Sequence, residues 1–314
     1  MTPLFTGYTD GASFGPTNQL KINLVLWLDE AFINHGFFRR LPASGESDYS
    51  GNILTQLKPV TDGSYPSGTY WQSRTHNWVY ESGLSIQSSL MVPFRPSGIY
   101  VKKPEDSAFT YYASGSSNGN YNYKFDFKNG AVYFLNQNIV PVASTILCPH
   151  TYKEIHVDLS DNDKFVELVS SDTKNQVPGS GVAYPNITNV QMPAVFIEHT
   201  GRDSSPLELG GNKIYHDNVI FHVFADNETD RDQLVDMFDS LKYKTIQLVN
   251  FNTAPLPLDD YGDINPAYPN LDTLQNQYKY KLCYFSEVRS QKFKSTAGYH
   301  RGYITNIIEM RNFN

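Results

Sequence analysis

The chain has 314 residues, a formal net charge of −7, 14% aromatic residues and only 18% charged residues. That length exceeds the usual single-domain size and can bury a sizeable core, so two domains are the natural expectation. The acidic balance argues against a broad basic face gripping nucleic acid from outside and otherwise decides little, since many soluble proteins are mildly acidic.

Twenty-two tyrosines, with many Ser, Asn, Gly and Thr, favour strands and long polar loops over helices. No stretch approaches 18 consecutive apolar residues, and Met1-Thr2-Pro3-Leu4-Phe5 lacks a basic region followed by an apolar one. Neither a membrane span nor a signal peptide is expected, and synthesis in a cytoplasm is. Cys148 and Cys283 each lie in an apolar or aromatic stretch and read as buried free thiols.

Residues 1–16 read as an extended arm, either packed on a neighbouring subunit or disordered. Asn18 to Ile33 reads as a helix, with Leu20, Leu24, Trp27, Leu28 and Ala31 in one stripe that Ile22, Val25, Leu26 and Phe32 widen. So apolar a helix must be covered on nearly all sides. Thr17 or Asn18 supplies a cap, and Asn34-His35-Gly36 a stop. Strands are expected at Asn52–Val60, across 68–83 with Trp71 and Trp78 on a strand pair, at Ser97–Val101, at Val140–Leu147 and at Tyr152–Leu159. The clearest hairpin runs from Tyr121 to Leu135 around Lys128-Asn129-Gly130, because Asn-Gly between alternating flanks favours a tight turn. Residues 17–159 are therefore read as one domain, a helix against an antiparallel β-sandwich or barrel. Residues 160–190 form a linker containing a short helix at 165–169.

Residues 191–314 form the second domain, an α+β unit whose four-stranded antiparallel sheet carries a packed helix. Ala194–Ile197 and Asn218–Ala225 are strands, and Leu234, Met237, Phe238 and Leu241 make the apolar stripe of a helix over 230–241. Thr229 with Asp232 reads as a capping box, and Thr245–Val249 as the returning strand. Phe221, Val223, Leu234, Phe238 and Leu241 are its expected core. Four prolines between Asn252 and Pro269 make a long irregular loop of the kind that carries contacts. Tyr278–Val288 and Tyr299–Met310 are the last strands.

The runs PAVFIEH (193–199), ELGGN (208–212), NVIFHVFADNETDRDQLVDMFDSLK (218–242) and IQLVNF (246–251) resemble the neck, or head–tail connector, and tail-terminator proteins of tailed bacteriophages. In the first half WQS (71–73), NWVYESG (77–83), SGIYV (97–101) and DFKNGAVYF (126–134) resemble a domain of phage virion proteins assigned to the same neck region. The resemblance implies a structural virion protein that forms a closed ring, a hexamer or a dodecamer. Its partners would be a portal or adaptor ring on one side and a tail-tube or terminator protein on the other, around a DNA channel. Pro255, Asp259, Asp260, Tyr261, Pro266 and Tyr268 are then the candidate subunit-contact residues.

Enzyme signatures are missing. No G-x-x-x-x-G-K-[ST], G-x-S-x-G or H-E-x-x-H occurs, so no enzymatic activity and no cofactor is expected. His216 and His222 share a strand face but stand about 20 Å apart, too far to hold one metal directly. Asp161-Asn162-Asp163 lacks the remaining ligands of a calcium loop and reads as a helix start. Asp259-Asp260-Tyr261-Gly262-Asp263 reads as a solvated turn. The alternative to assembly is a carbohydrate- or receptor-binding tail module whose sugars stack on Trp71, Trp78 and Tyr80.

Overall fold

The structure, a computed structural model, describes residues 15–42, 53–60, 65–87, 91–114, 121–135, 140–163, 165–166, 168–169, 191–206, 213–274, 282–293 and 299–311. Most of the expected arm and of the expected linker, the turn at 209–212 and the loop end at 275–277 lie outside the described residues. The chain is α+β and mostly β. Contacts group it into two compact units. The first contains Ile33–Lys153 and Pro255–Pro269, and the second contains Ser13–Phe32, Glu154–Ala254 and Asn270–Asn314. This division differs from the expected one at two places. The N-terminal helix groups with the C-terminal sheet, and the proline-bearing loop groups with the first half.

The first unit is a curled antiparallel sheet. Its strands are β2 (Gln56–Pro59), β3 (Tyr70–Gln72), β4 (Gly98–Lys102), β5 (Thr110–Ala113), β6 (Tyr123–Asp126), β7 (Ala131–Phe134) and β8 (Thr145–Leu147), in the order β5-β4-β8-β2-β3-β7-β6. The two edges meet through tyrosines. Tyr123 Oη on β6 donates to the Tyr112 carbonyl on β5 at 2.7 Å, and Tyr112 meets Tyr121 edge-on at 4.8 Å. A separate ribbon joins β1 (Phe38–Leu41) to β9 (His150–Lys153). The predicted hairpin is present as β6 and β7, and Gly130 takes φ +61° in its turn. A Cβ there would stand 2.1 Å from the Thr75 carbonyl, so both backbone conformation and space require glycine. Trp71 lies on β3, but β3 pairs with β2 and β7, and Trp78 makes only a single bridge to Tyr152. The expected strand pair across 68–83 is therefore absent.

His150 sits in this core, stacked on Trp78 at 4.3 Å. Its Nδ1 lies 2.8 Å from the Cys148 carbonyl, which can only accept, so Nδ1 carries the proton and Nε2 accepts from Thr75 Oγ1 at 2.7 Å. Burial lowers its pKa to about 4, with the hydrogen bond to the Cys148 carbonyl opposing.

The second unit is a five-stranded sheet ordered β10 (His156–Leu159), β11 (Ala194–Pro206), β12 (Lys213–Ala225), β14 (His300–Arg311), β13 (Leu282–Phe293). Four strands are antiparallel, but β10 runs parallel to β11. The sheet is mixed, not purely antiparallel, because the expected strand 152–159 breaks at Glu154 and its second half joins this sheet. Helix α2 (Glu228–Asp239) packs on one face, where Phe238 meets Phe221 at 5.0 Å. A Cβ on Gly302 would stand 2.8 Å from Val235 Cγ2, so the glycine lets the helix approach. The cap is Asn227, whose Oδ1 accepts from Asp230 N at 2.8 Å while its Nδ2 donates to Asp230 Oδ2. Thr229 and Asp232 lie inside the helix and form no capping box. On the opposite face Phe165, Leu168 and Val169 pack with Phe196, Phe224 and Tyr299, so these three residues belong to this unit's core rather than to a linker.

Helix α1 (Pro16–Asn34) starts on a proline, which needs no N–H partner there, and Thr17 and Asn18 fall within its first turn instead of capping it. Its Leu20, Leu24 and Leu28 are buried as expected. Two buried amides, Gln19 and Asn23, sit one turn apart on it. Asn23 Nδ2 donates to the Val249 carbonyl at 2.9 Å and its Oδ1 accepts from Val249 N at 2.7 Å, while Gln19 Oε1 accepts from Phe251 N at 3.0 Å. The expected strand 245–249 is thus no sheet strand. Thr245 makes one bridge to Tyr284, and beyond Ile246 the backbone pairs with helix side chains instead.

Asn23→Ala leaves the Val249 N–H and carbonyl buried without these partners. It should destabilise the protein by about 3 kcal/mol in urea unfolding. Between pH about 6.5 and 4 the unfolded chain protonates His150 before the folded one does. Stability should therefore fall with pH across that window by about 3 kcal/mol from this group and level off below it. His150→Gln should remove that component of the pH profile.

Candidate assembly surface

The four long strands of the second unit run 12 or 13 residues, beyond the usual strand length. Phe221, Val223, Leu234 and Phe238 are buried under α2 as expected, whereas Leu241, beyond the end of the helix, is only half-buried. Farther along the β11–β12 hairpin polar residues take over. Asp217, with a fully buried side chain, accepts from His199 Nε2 at 2.7 Å and from Arg202 Nε at 2.8 Å, and Arg202 lies over the Tyr215 ring. Removing either partner would leave the buried carboxylate poorly compensated, so the pair pins the hairpin's register.

Strand β13 is one edge of the sheet, β10 the other. Residues 243–246 cover its first part, with Tyr243 N donating to the Phe285 carbonyl and Phe285 N to the Lys244 carbonyl. Ser286 is a bulge between Phe285 and Glu287, after which Val288, Ser290 and Lys292 face Asn306, Ile304 and Gly302. These partners continue the alternation of Ile308, so Val288, Ser290 and Lys292 turn their backbone N–H and C=O outward. Among the described residues, nothing pairs with that row. The Ser290 and Lys292 side chains point toward α2, where Ser290 Oγ donates to Asp239 at 3.0 Å and Lys292 Nζ to Asp236 at 3.3 Å. On α2 itself Glu228 and Asp232 pair with Arg231, and Asp232 and Asp236 pair with Lys292.

The loop proposed for subunit contact is built into the first unit. Gly262 accepts from Phe127 N at 3.0 Å, Asp259 pairs with Lys124, and Tyr261 covers Lys124 at 4.7 Å and Tyr133 at 5.9 Å. Asp259 Oδ1 also accepts from Tyr261 N and Asp263 N, so the acidic run is a satisfied turn. Burial raises the Asp263 pKa, with Asp259 beside it adding to the effect. Asp260, Tyr261 and Pro266 are exposed; Pro255 and Tyr268 are half-buried. The loop therefore offers surface from one side and holds the β6–β7 hairpin with the other, so it cannot be deleted without disturbing the fold.

Trp71, Trp78 and Tyr80 are 1%, 0% and 6% exposed, which overturns them as a sugar platform. Trp71 Nε1 donates to Gly68 O, and Tyr80 meets Phe127 edge-on, so all three are core. Ser73, Thr75 and His150 form a hydrogen-bonded chain reminiscent of a nucleophile relay, but the histidine ends on the Cys148 carbonyl and has no carboxylate to orient it. Among the described residues no group of three His, Cys, Asp or Glu is placed to hold a metal. His216 and His222 face different acids, Glu309 and Glu198. Both cysteines are buried and free, and burial pushes both thiols up. No helix among the described residues is long and apolar enough to cross a membrane.

Comparison with models of known protein families and with curated protein sequences gives no match to this chain. The outward row on β13 escaped the reading from sequence, which ended that strand at Val288. A bulge and charged alternation at its end are weak signals without the neighbouring strand. The residue that ties loop to hairpin is Gly262, at φ +82° and with a Cβ position 2.7 Å from Asp126 Oδ1. Asp126 in turn accepts from Tyr70 Oη and Asn129. Gly262→Ala should cost about 2 kcal/mol of stability, read as a lowered midpoint in thermal or urea unfolding.

Proposed function

We propose that the chain is a structural virion protein of a tailed bacteriophage, forming a ring in the neck that joins the portal and capsid to the tail. What carries the reading on the structural side is the outward hydrogen-bonding row of β13 at Val288, Ser290 and Lys292, a template for another chain. The resemblance of 191–314 and of the first-half motifs to neck proteins supplies the class. A heterologous contact between an edge of one copy and a different surface of the next closes into a ring when the rotation per copy divides a full turn. The bulge at Ser286 and the charges of Glu287 and Arg289 disfavour indiscriminate pairing and favour a partner of matching charge. The net charge of −7 suits a surface that lies near DNA without adhering to it. The ring would take a portal or adaptor protein on one face and a tail-tube or terminator protein on the other.

Mass photometry of the purified protein, followed by negative-stain imaging, tests this. Six- or twelve-fold rings are expected, alone or once the partner ring is added. Ser290→Pro removes one outward N–H without touching the β14 ladder, and loses the Ser290–Asp239 hydrogen bond, worth about 1 kcal/mol. The variant should stay folded and fail to form rings. Rings of normal size in Ser290→Pro would overturn the role of β13, and a protein that forms no ring with or without neck partners would overturn the proposed function.

A further inference from the structure

A second surface feature lies in the first unit, on the side of the curled sheet where β4 and β5 begin and end. Phe94, Arg95, Ser97, Gly98, Tyr100 and Tyr111, with a proline at either side, line a cleft of about 260 Å³. Its aromatic wall is preformed. Tyr111 packs directly on Gly98, where a Cβ would stand 2.6 Å from the Tyr111 hydroxyl and 2.7 Å from its ring. Ser97 Oγ and Tyr111 Oη are 3.1 Å apart, and Tyr100 lies 5.0 Å from Tyr111 between ring centres. Phe94 is anchored through its backbone N–H to Thr151 Oγ1 at 3.0 Å. Yet Tyr111 keeps 45% of its surface exposed.

The cleft is also cationic, against the sign of the whole chain. Arg95 spends only Nε, on the Glu81 carbonyl at 3.3 Å, and its two terminal nitrogens make no hydrogen bond among the described residues. Arg40 lies over the far side of the Phe94 neighbourhood, its guanidinium carbon 5.2 Å from the ring centre. The nearby Glu81 carboxylate is committed to Lys153 at 2.5 Å and to Tyr80 N. Arg95 thus lines the cleft and Arg40 lies over Phe94; Glu81 acts on Arg95 through space, but its carboxylate oxygens are taken up by Lys153 and Tyr80 N. A planar fork of unused N–H donors matches a carboxylate, and a tyrosine face matches the apolar face of a sugar ring.

We propose that this cleft binds a carboxylated sugar, a uronic or sialic acid unit of an acidic polysaccharide, with Arg95 on the carboxylate and Tyr111 under the ring. The volume lies below the range of pockets for drug-sized ligands and fits one ring, with the chain of the glycan leaving through the open side. The site uses none of the residues of the β13 edge, so it stands or falls apart from ring formation.

Saturation-transfer NMR and titration calorimetry on the full chain, with the methyl glycosides of glucuronic acid, galacturonic acid and N-acetylneuraminic acid and with neutral methyl glucoside, test it. At least one acidic glycoside should bind saturably and about tenfold or more tightly than the neutral one. Arg95→Gln should abolish that preference for acid, and Arg95→Lys should retain part of it. Tyr111→Ala should weaken every sugar, with circular dichroism unchanged. Absence of saturable binding by all three acidic glycosides overturns the proposal, as does equal binding of the neutral sugar or full binding by folded Arg95→Gln and Tyr111→Ala.

Discussion

The second unit depends on two side-chain amides. After leaving the sheet edge the chain buries Ile246, Leu248, Val249 and Phe251, and backbone in an apolar setting must find partners for its N–H and C=O groups. Asn23 and Gln19 supply them from one face of α1, so a helix side chain does what a neighbouring strand would otherwise do. With that contact in place Trp27 reaches Phe285 at 5.8 Å and Phe32 reaches Phe238 at 6.1 Å. The N-terminal helix, the sheet and α2 thus share one core although more than two hundred residues separate their ends in sequence.

The same unit divides labour along its strands. Under α2 the sheet is apolar and close-packed, with Gly302 admitting the helix and Phe221 filling the space beneath Phe238. Beyond it, the buried Asp217 with His199 and Arg202 replaces apolar packing as the constraint on the β11–β12 hairpin. A register slip there would strand a buried carboxylate, and the penalty for an unpaired buried charge exceeds that for a lost methylene. A rigid ribbon and an edge strand with free backbone groups are the mechanical parts that an assembly reading needs.

In the first unit aromatic residues serve two purposes that their identities do not distinguish. Trp71, Trp78 and Phe127 fill the inside of the curled sheet, and His150 is held neutral among them by desolvation. Tyr100, Tyr111 and Phe94 stand on its surface beside two arginines. The alternation along β4 and β5 is too short to tell these sets apart, since strands of four or five residues offer only two or three positions per face.

The sequence by itself determined the local units. The Asn-Gly hairpin at 128–130, the apolar helix read over 18–33, the strand at 218–225 and the helix after Asp226 all follow from patterns within a few residues, where turn geometry and side-chain periodicity decide the outcome. It also determined the α+β, mostly β, character of the chain. Only tertiary structure decided which units share a core. Residues 152–159 read as one strand in sequence but belong to two strands in different sheets, because β10 satisfies its hydrogen bonds parallel to β11. Thr245–Val249 has the pattern of a strand yet pairs with Asn23, and the loop at 255–269 closes onto β6 and β7 through Gly262 and Asp259. Burial of Trp71 and Trp78, the outward row of β13 and the Arg95–Tyr111 cleft belong to the same class. Each depends on contacts between residues far apart in the chain, and residue type alone does not specify which distant neighbour satisfies a given backbone group or covers a given ring.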